Sequence, residues 1–136
     1  MKKRKTIIIA AAIILVSAIV SVCCMNYIEK KNRIVKVEVG DSVSAVIKGD
    51  GSLWMWGYNR RYQLGDGTGK DVKKPKKIMS DVKDVSIGVG LTGAIKKDGS
   101  LWDWGFGYST LGDGIREGAK KTKKITNHVK KVKMGK

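Results

Sequence analysis

An all-β fold of about two four-stranded antiparallel units, preceded by one hydrophobic helix, is predicted by three features of this sequence. One phrase occurs twice, as Asp50-Gly51-Ser52-Leu53-Trp54-Met55-Trp56-Gly57 and as Asp98-Gly99-Ser100-Leu101-Trp102-Asp103-Trp104-Gly105, with 48 residues between equivalent positions. Around each copy, apolar and polar residues alternate with the period of a strand. Ahead of both, residues 6–28 carry no charge and are rich in Ile, Ala and Val.

The repeat runs well past the phrase. Ile34, Val82 and Val129 are equivalent, as are Val37, Val85 and Val132, then Val39, Ile87 and Met134, then Gly40, Gly88 and Gly135. Leu64-Gly65-Asp66-Gly67 returns as Leu111-Gly112-Asp113-Gly114 at a spacing of 47, so one residue is lost between Gly105 and Leu111. A fixed period in this range marks an array of mutually dependent structural units. The division that follows is 1–28 membrane helix or signal peptide, 29–33 basic linker, 34–81 first repeat, 82–128 second repeat, and 129–136 the opening strand of a third.

Within a unit, Val35, Val37 and Val39 alternate with Lys36 and Glu38, predicting a half-buried strand. Residues 44–48 form a second β-prone run, closed by an Asp-Gly turn of the hairpin type. Residues 53–56 are the third strand, with Trp54 and Trp56 on one face. A Gly-, Asn- and Asp-rich loop follows, and Pro75 precedes a short fourth strand over residues 76–79. Four short antiparallel strands with aromatics and turn glycines at fixed places describe a β-propeller blade.

Gly-Asp-Gly-Ser-Leu-Trp-x-Trp-Gly-Tyr-Asn over 49–59, then Gln63-Leu64-Gly65-Asp66-Gly67-Thr68, then Ile78 and the Val-x-x-Val run from Val82, resemble the regulator of chromosome condensation repeat. The resemblance covers about residues 34–136 and implies blades of an incomplete propeller, in an exported or membrane-anchored bacterial member. The family's complete members are seven-bladed. They include nuclear exchange factors for a small GTPase, ubiquitin-ligase-associated propellers and bacterial extracellular proteins, so the resemblance implies a scaffold that binds other proteins. Departures are visible: Val43-Ser44 and Leu91-Thr92 stand where the family has a His-Thr pair, and Tyr62 replaces a loop glycine. Fold therefore transfers better than exchange-factor activity.

Met1-Lys2-Lys3-Arg4-Lys5 precedes the uncharged segment, whose 23 residues suffice to span a bilayer as a helix. A signal anchor, a cleaved signal peptide with Val16-Ser17-Ala18 at the cleavage site, and a lipoprotein attached through Cys23 all fit this pattern. The basic head argues for a single pass with an extracytoplasmic C-terminal domain, although Lys30, Lys31, Arg33 and Lys36 place positive charge on the other side too. The alternative is a secreted protein. Cys23 and Cys24 are adjacent and lie in the apolar segment, which suits neither a relaxed mutual disulfide nor a metal site.

The formal charge of +16 is shared: residues 1–36 carry +7 and residues 37–136 carry +9. Equivalent clusters, Lys73, Lys74, Lys76 and Lys77 in the first repeat and Lys120, Lys121, Lys123 and Lys124 in the second, are expected in loops on one face of a propeller. They are either a solvated surface or the candidate interaction surface, attracting an acidic protein, an anionic cell-wall polymer or a membrane surface. Nucleic acid is not an expected partner of an exported domain.

Trp54, Trp56, Trp102 and Trp104, with Gly51, Gly57, Gly65, Gly99, Gly105 and Gly112, are structural repeat residues, the tryptophans packing between blades. Met55 and Asp103 are expected on an opposite, partly wet face. Asp50, Asp66, Asp98 and Asp113 each precede glycine, which is turn chemistry rather than calcium ligation. His128, the single histidine, has no catalytic companion, and its counterpart in the first unit is Asp81. No catalytic residue, cofactor site or metal site is expected, and the chain is read as no enzyme.

Closed propellers have about 4–8 blades, and two units leave faces to be covered. The expectation is a membrane-tethered interaction module, part of or a fragment of a larger propeller, which forms a homo-oligomer or joins other propeller fragments. A truncated product without independent function, and a basic surface protein binding anionic cell-wall polymer, are the alternatives.

Overall fold

The structure, a computed structural model, describes residues 2–106 and 119–133. Gly112, with Leu111 and Asp113, and Met134 and Gly135 lie outside the described residues. The chain divides into two units, Met1–Arg33 and Ile34–Lys136.

The first unit is one helix, α1 (Lys2–Asn32). Its many Ile and Val residues are indifferent helix formers in water, but in hydrocarbon every backbone group needs an internal partner and the helix supplies them. Ser17 Oγ donates to the Ile14 carbonyl (2.8 Å) and Ser21 Oγ to the Ser17 carbonyl (2.9 Å), so both hydroxyls are satisfied within the helix. The stretch Lys3–Asn32 is long and apolar enough to cross a membrane.

The second unit is two four-stranded antiparallel sheets. The first contains β1 (Ile34–Gly40), β2 (Val43–Lys48), β3 (Leu53–Gly57) and β4 (Val72–Met79), in that spatial order. The second contains β5 (Val82–Ile87), β6 (Leu91–Lys96), β7 (Leu101–Gly105) and β8 (Ala119–Thr126), also in order. Registers repeat residue for residue: Val37 opposes Val46, which opposes Trp54, and Val85 opposes Ala94, which opposes Trp102. Register shifts recur between Ile34/Lys36 and Val82/Asp84, and between Leu53/Trp54 and Leu101/Trp102.

The repeated phrase acts as a hydrogen-bond chain. Asp50 Oδ1 accepts from the Ser52 backbone N–H (2.8 Å) and Ser52 Oγ (2.6 Å), and Ser52 Oγ accepts from Trp54 Nε1 (2.9 Å). Asp98, Ser100 and Trp102 repeat it at 2.8, 2.6 and 2.8 Å. The first tryptophan of each copy thereby fixes its hairpin turn, with Lys48 Nζ 4.5 Å from the Trp54 ring centroid and Lys96 Nζ 5.3 Å from that of Trp102. The closing glycines have a backbone reason: at Gly57 (φ +121°) and Gly105 (φ +106°) a Cβ would strike the carbonyl oxygens of Ser42 and Gly90.

The sheets stack face to face. Val43, Ala45, Ile47, Leu53 and Met55 of the first, with Leu64 of the loop between β3 and β4, form one core with Val82, Val85, Ile87, Ala94 and Trp104 of the second. We call the side of each sheet that carries the second tryptophan its leading face. The first sheet presents its opposite, trailing face to the leading face of the second. Met55 is therefore fully buried, which corrects the expectation of a wet face: its side is the contact between blades. The period-two reading of β1 holds, but its valines point to the uncovered side while Lys36 and Glu38 are half-buried.

Candidate protein-interaction surfaces

The second tryptophan of each phrase behaves differently in the two blades. Trp104 is fully buried, and its Nε1 donates to the Gln63 carbonyl (2.8 Å). Thr92 Oγ1 donates to the same carbonyl (2.8 Å). Gly65, at φ +69°, lies so close beneath the indole that a Cβ there would come 2.7 Å from Trp104 Cδ1. Gln63, Leu64 and Gly65 together form a platform for the neighbouring blade. Asn59 holds that platform: its Oδ1 accepts from Leu64 N–H (3.0 Å), and its Nδ2 donates to the Thr68 carbonyl (2.7 Å) and to Asp66 Oδ1 (3.0 Å).

Polar contacts complete the blade junction. Lys36 Nζ pairs with Asp84 and donates to the Val85 carbonyl (2.7 Å), and Asp41 Oδ2 accepts from Gly90 N–H (2.6 Å). The Gly51 carbonyl accepts from Val82 N–H (2.8 Å), and its mate Gly99 accepts from Val129 N–H (2.8 Å). Lys36 and Asp84 are equivalent positions of opposite charge, a signal present in the sequence once the repeats are aligned.

The eight lysines sit on strands rather than in loops. Lys73, Lys74, Lys76 and Lys77 lie on β4, and Lys120, Lys121, Lys123 and Lys124 on β8, all exposed. These are the last strands of their sheets, and an edge position tolerates Pro75 inside β4. The fourth strand is thus longer than the 76–79 segment expected, because backbone pairing from Val72 opposite Gly57 extends it. The 66–67 turn of the first blade reaches the second: the backbones of Asp66 and Lys121 form an isolated antiparallel β-bridge, and Gly67 N–H donates to the Lys120 carbonyl (3.1 Å). Lys120 Nζ lies 5.3 Å from the Tyr62 ring centroid.

One lysine of the rim has a carboxylate partner. Lys76 Nζ pairs with Asp66 Oδ2 at 2.8 Å. Burial pushes the Asp66 carboxyl up, but the Lys76 ammonium and hydrogen bonds from Thr68 and Asn59 outweigh it and hold the pKa at about 2. Asp98 is also lowered, chiefly by the hydrogen bonds from Ser100. The turn aspartates thus spend their charge on backbone and neighbouring donors. His128 matches Asp81 in backbone, φ +65° against +62°, so its position marks a turn. Among the described residues no group of three or more His, Cys, Asp or Glu side chains is placed to hold a metal.

Stacked four-stranded antiparallel sheets, with β5 packed on β1 and β2, define a protein of propeller-blade repeats. Two models of the family described as "Regulator of chromosome condensation (RCC1) repeat" match this chain, over residues 50–95 and 34–63. Among solved structures it is similar to human WBSCR16, at 20% identity and TM-score 0.62, covering 70% of this chain and 26% of that one. It is also similar to Prp20p from Saccharomyces cerevisiae, described with its binding properties to Gsp1p and histones, at 22% identity and TM-score 0.62, covering 71% and 26%. Yeast RCC1 (Prp20) in the structure of Kap60 bound to it gives 23% identity and TM-score 0.61, covering 71% and 25%. This likeness is one of fold, and the chain spans about a quarter of the length of those proteins. No curated protein matches the chain in sequence.

Proposed function

We propose that the chain is a non-enzymatic protein-interaction module, held in a membrane by α1, with its blades on the extracytoplasmic side. Its lysine rim is the surface that meets an acidic protein partner. The observation that carries this reading is the placement of eight exposed lysines on the two outer strands, at equivalent positions of adjacent blades. A rim of one sign raises the local concentration of an oppositely charged surface and speeds its encounter. Membrane tethering rests on the uncharged residues 6–28 and the basic head before them. The likeness to Prp20p, described with its binding properties to Gsp1p and histones and in a complex with Kap60, supports the use of such blades as protein scaffolds.

The test uses the full chain in lipid nanodiscs and a polyglutamate peptide as the acidic probe. Replacing Lys73, Lys74, Lys77 and Lys124 with Gln should weaken binding roughly tenfold at low salt and flatten its salt dependence. Binding that is unchanged by the four substitutions removes the rim from the reading. Retention by a phosphodiester wall polymer but not by polyglutamate moves the partner class to anionic polymer.

A further inference from the structure

We propose that the C-terminal end of α1 is a binding site for one anionic phospholipid. Its phosphate sits between Lys30 and Lys31, and an acyl chain lies along Val20, Cys23 and Cys24. The site rests on the reading of α1 as a membrane-spanning helix and is distinct from the lysine rim of the blades.

Helix geometry assembles the site. At about 100° per residue, Val20, Cys23, Cys24, Lys30 and Lys31 all fall within about 60° of the Tyr27 direction, so the six residues form one stripe. Val20, Cys23, Cys24 and Tyr27, with Ile19 and Ile28, line an apolar groove. Val20 and Tyr27 are 55% and 68% exposed, and both cysteines are exposed. The short side chains at 20, 23 and 24 leave a shallow track, bordered on its two sides by the longer Ile19 and Ile28.

The polar end of the stripe has the complementary chemistry. The uncharged residues 6–28 rise about 34 Å as a helix, enough to cross a hydrocarbon core of about 30 Å. Lys30 and Lys31 therefore stand just beyond that core, at headgroup depth. Tyr27 lies between them and the track, at the interfacial level that suits a tyrosine. Glu29, the one acid of α1, is on the side of the helix opposite Tyr27. Among the described residues neither lysine has an ion-pair partner. Complementing the negative end of the helix dipole accounts for cations in the last turn, but not for their alignment with the track. Positive charge at this end also opposes the topological bias set by the basic head, and headgroup phosphates offset that conflict. Two unpaired ammonium groups above an apolar track call for an anion that carries its own hydrocarbon. A zwitterionic lipid brings a compensating cation to the same place, and a free phosphoester brings no chain.

The experiment ejects the full chain from nanodiscs of equal phosphatidylglycerol and phosphatidylcholine, with identical acyl chains, and identifies the lipids that stay bound by native mass spectrometry. Phosphatidylglycerol should be enriched roughly tenfold over its share of the bilayer, and Lys30→Gln with Lys31→Gln should return the adducts to the bulk ratio. Val20→Trp with Cys24→Trp blocks the track and should abolish the enrichment too. Lys70→Gln with Lys83→Gln removes as much charge from exposed positions outside α1 and should leave the enrichment intact. An excess of glycerol phosphate should not displace the lipid. Equal retention of the two lipids by a chain that stays in the nanodisc overturns the inference and leaves the tether standing, whereas a chain that leaves the bilayer overturns both. An equal loss in the Lys70 and Lys83 variant would assign the preference to net charge, and displacement by glycerol phosphate would assign it to a free phosphoester. Either result overturns the site.

Discussion

At Trp104 and Trp56 the same residue type, in the same phrase and register, has different surroundings. Trp104 is sealed between blades and bonded to Gln63, whereas Trp56 is only half-buried. Trp104→Phe should therefore cost about 1–3 kcal/mol by deleting a buried hydrogen bond and leaving a void. Trp56→Phe should stay within about 0.5 kcal/mol. Urea unfolding of the two variants measures the difference, and equal losses would show that the two faces are alike. A second residue-scale outcome concerns Asp66. Its folded pKa of about 2 lies below its ordinary 3.8, so its ionised form is the one that folding stabilises. That contribution is present above about pH 4 and is lost as pH falls toward 2. Unfolding followed across this window should lose stability in the native chain, and Asp66→Asn should flatten that acid limb.

Between blades, close approach matters as much as pairing. A Cβ on Gly40 would stand 3.4 Å from Ile87 Cβ, close to the separation of disulfide-bonded cysteines, which is about 3.5–4.5 Å. Gly40→Cys with Ile87→Cys should close a disulfide between β1 and β5 and stabilise the pair of blades by about 2–4 kcal/mol. A free-thiol assay and unfolding with and without reductant check it; two persistent free thiols would mean that the blades are not seated in this way. Much at this scale was legible beforehand. The duplicated phrase, the alternating valines and the Asp-Gly turns located the strands, because each is a local signal. The side of Met55 and the extent of β4 were not, since burial of a sheet face depends on which neighbour covers it and an edge strand lengthens with backbone pairing that any sequence can make. Lys36 and Asp84 could have been paired by aligning repeats and comparing charges. The Gln63 platform gave no such sign, as its acceptor is a backbone carbonyl that every residue carries.

In the whole molecule two equivalent faces differ, one covered and one open. Repeat proteins gain stability chiefly from contacts between neighbouring units, so the covered junction holds the two blades together. The most direct measurement is hydrogen exchange at the four indole N–H groups of the full chain, resolved by NMR in nanodiscs. Trp104 should exchange slowest, protected to the level of the core strands, and Trp56 at least about tenfold faster, approaching local-opening rates. Equal protection of Trp56 and Trp104 would contradict the account, for it would mean that the first blade's leading face is already covered.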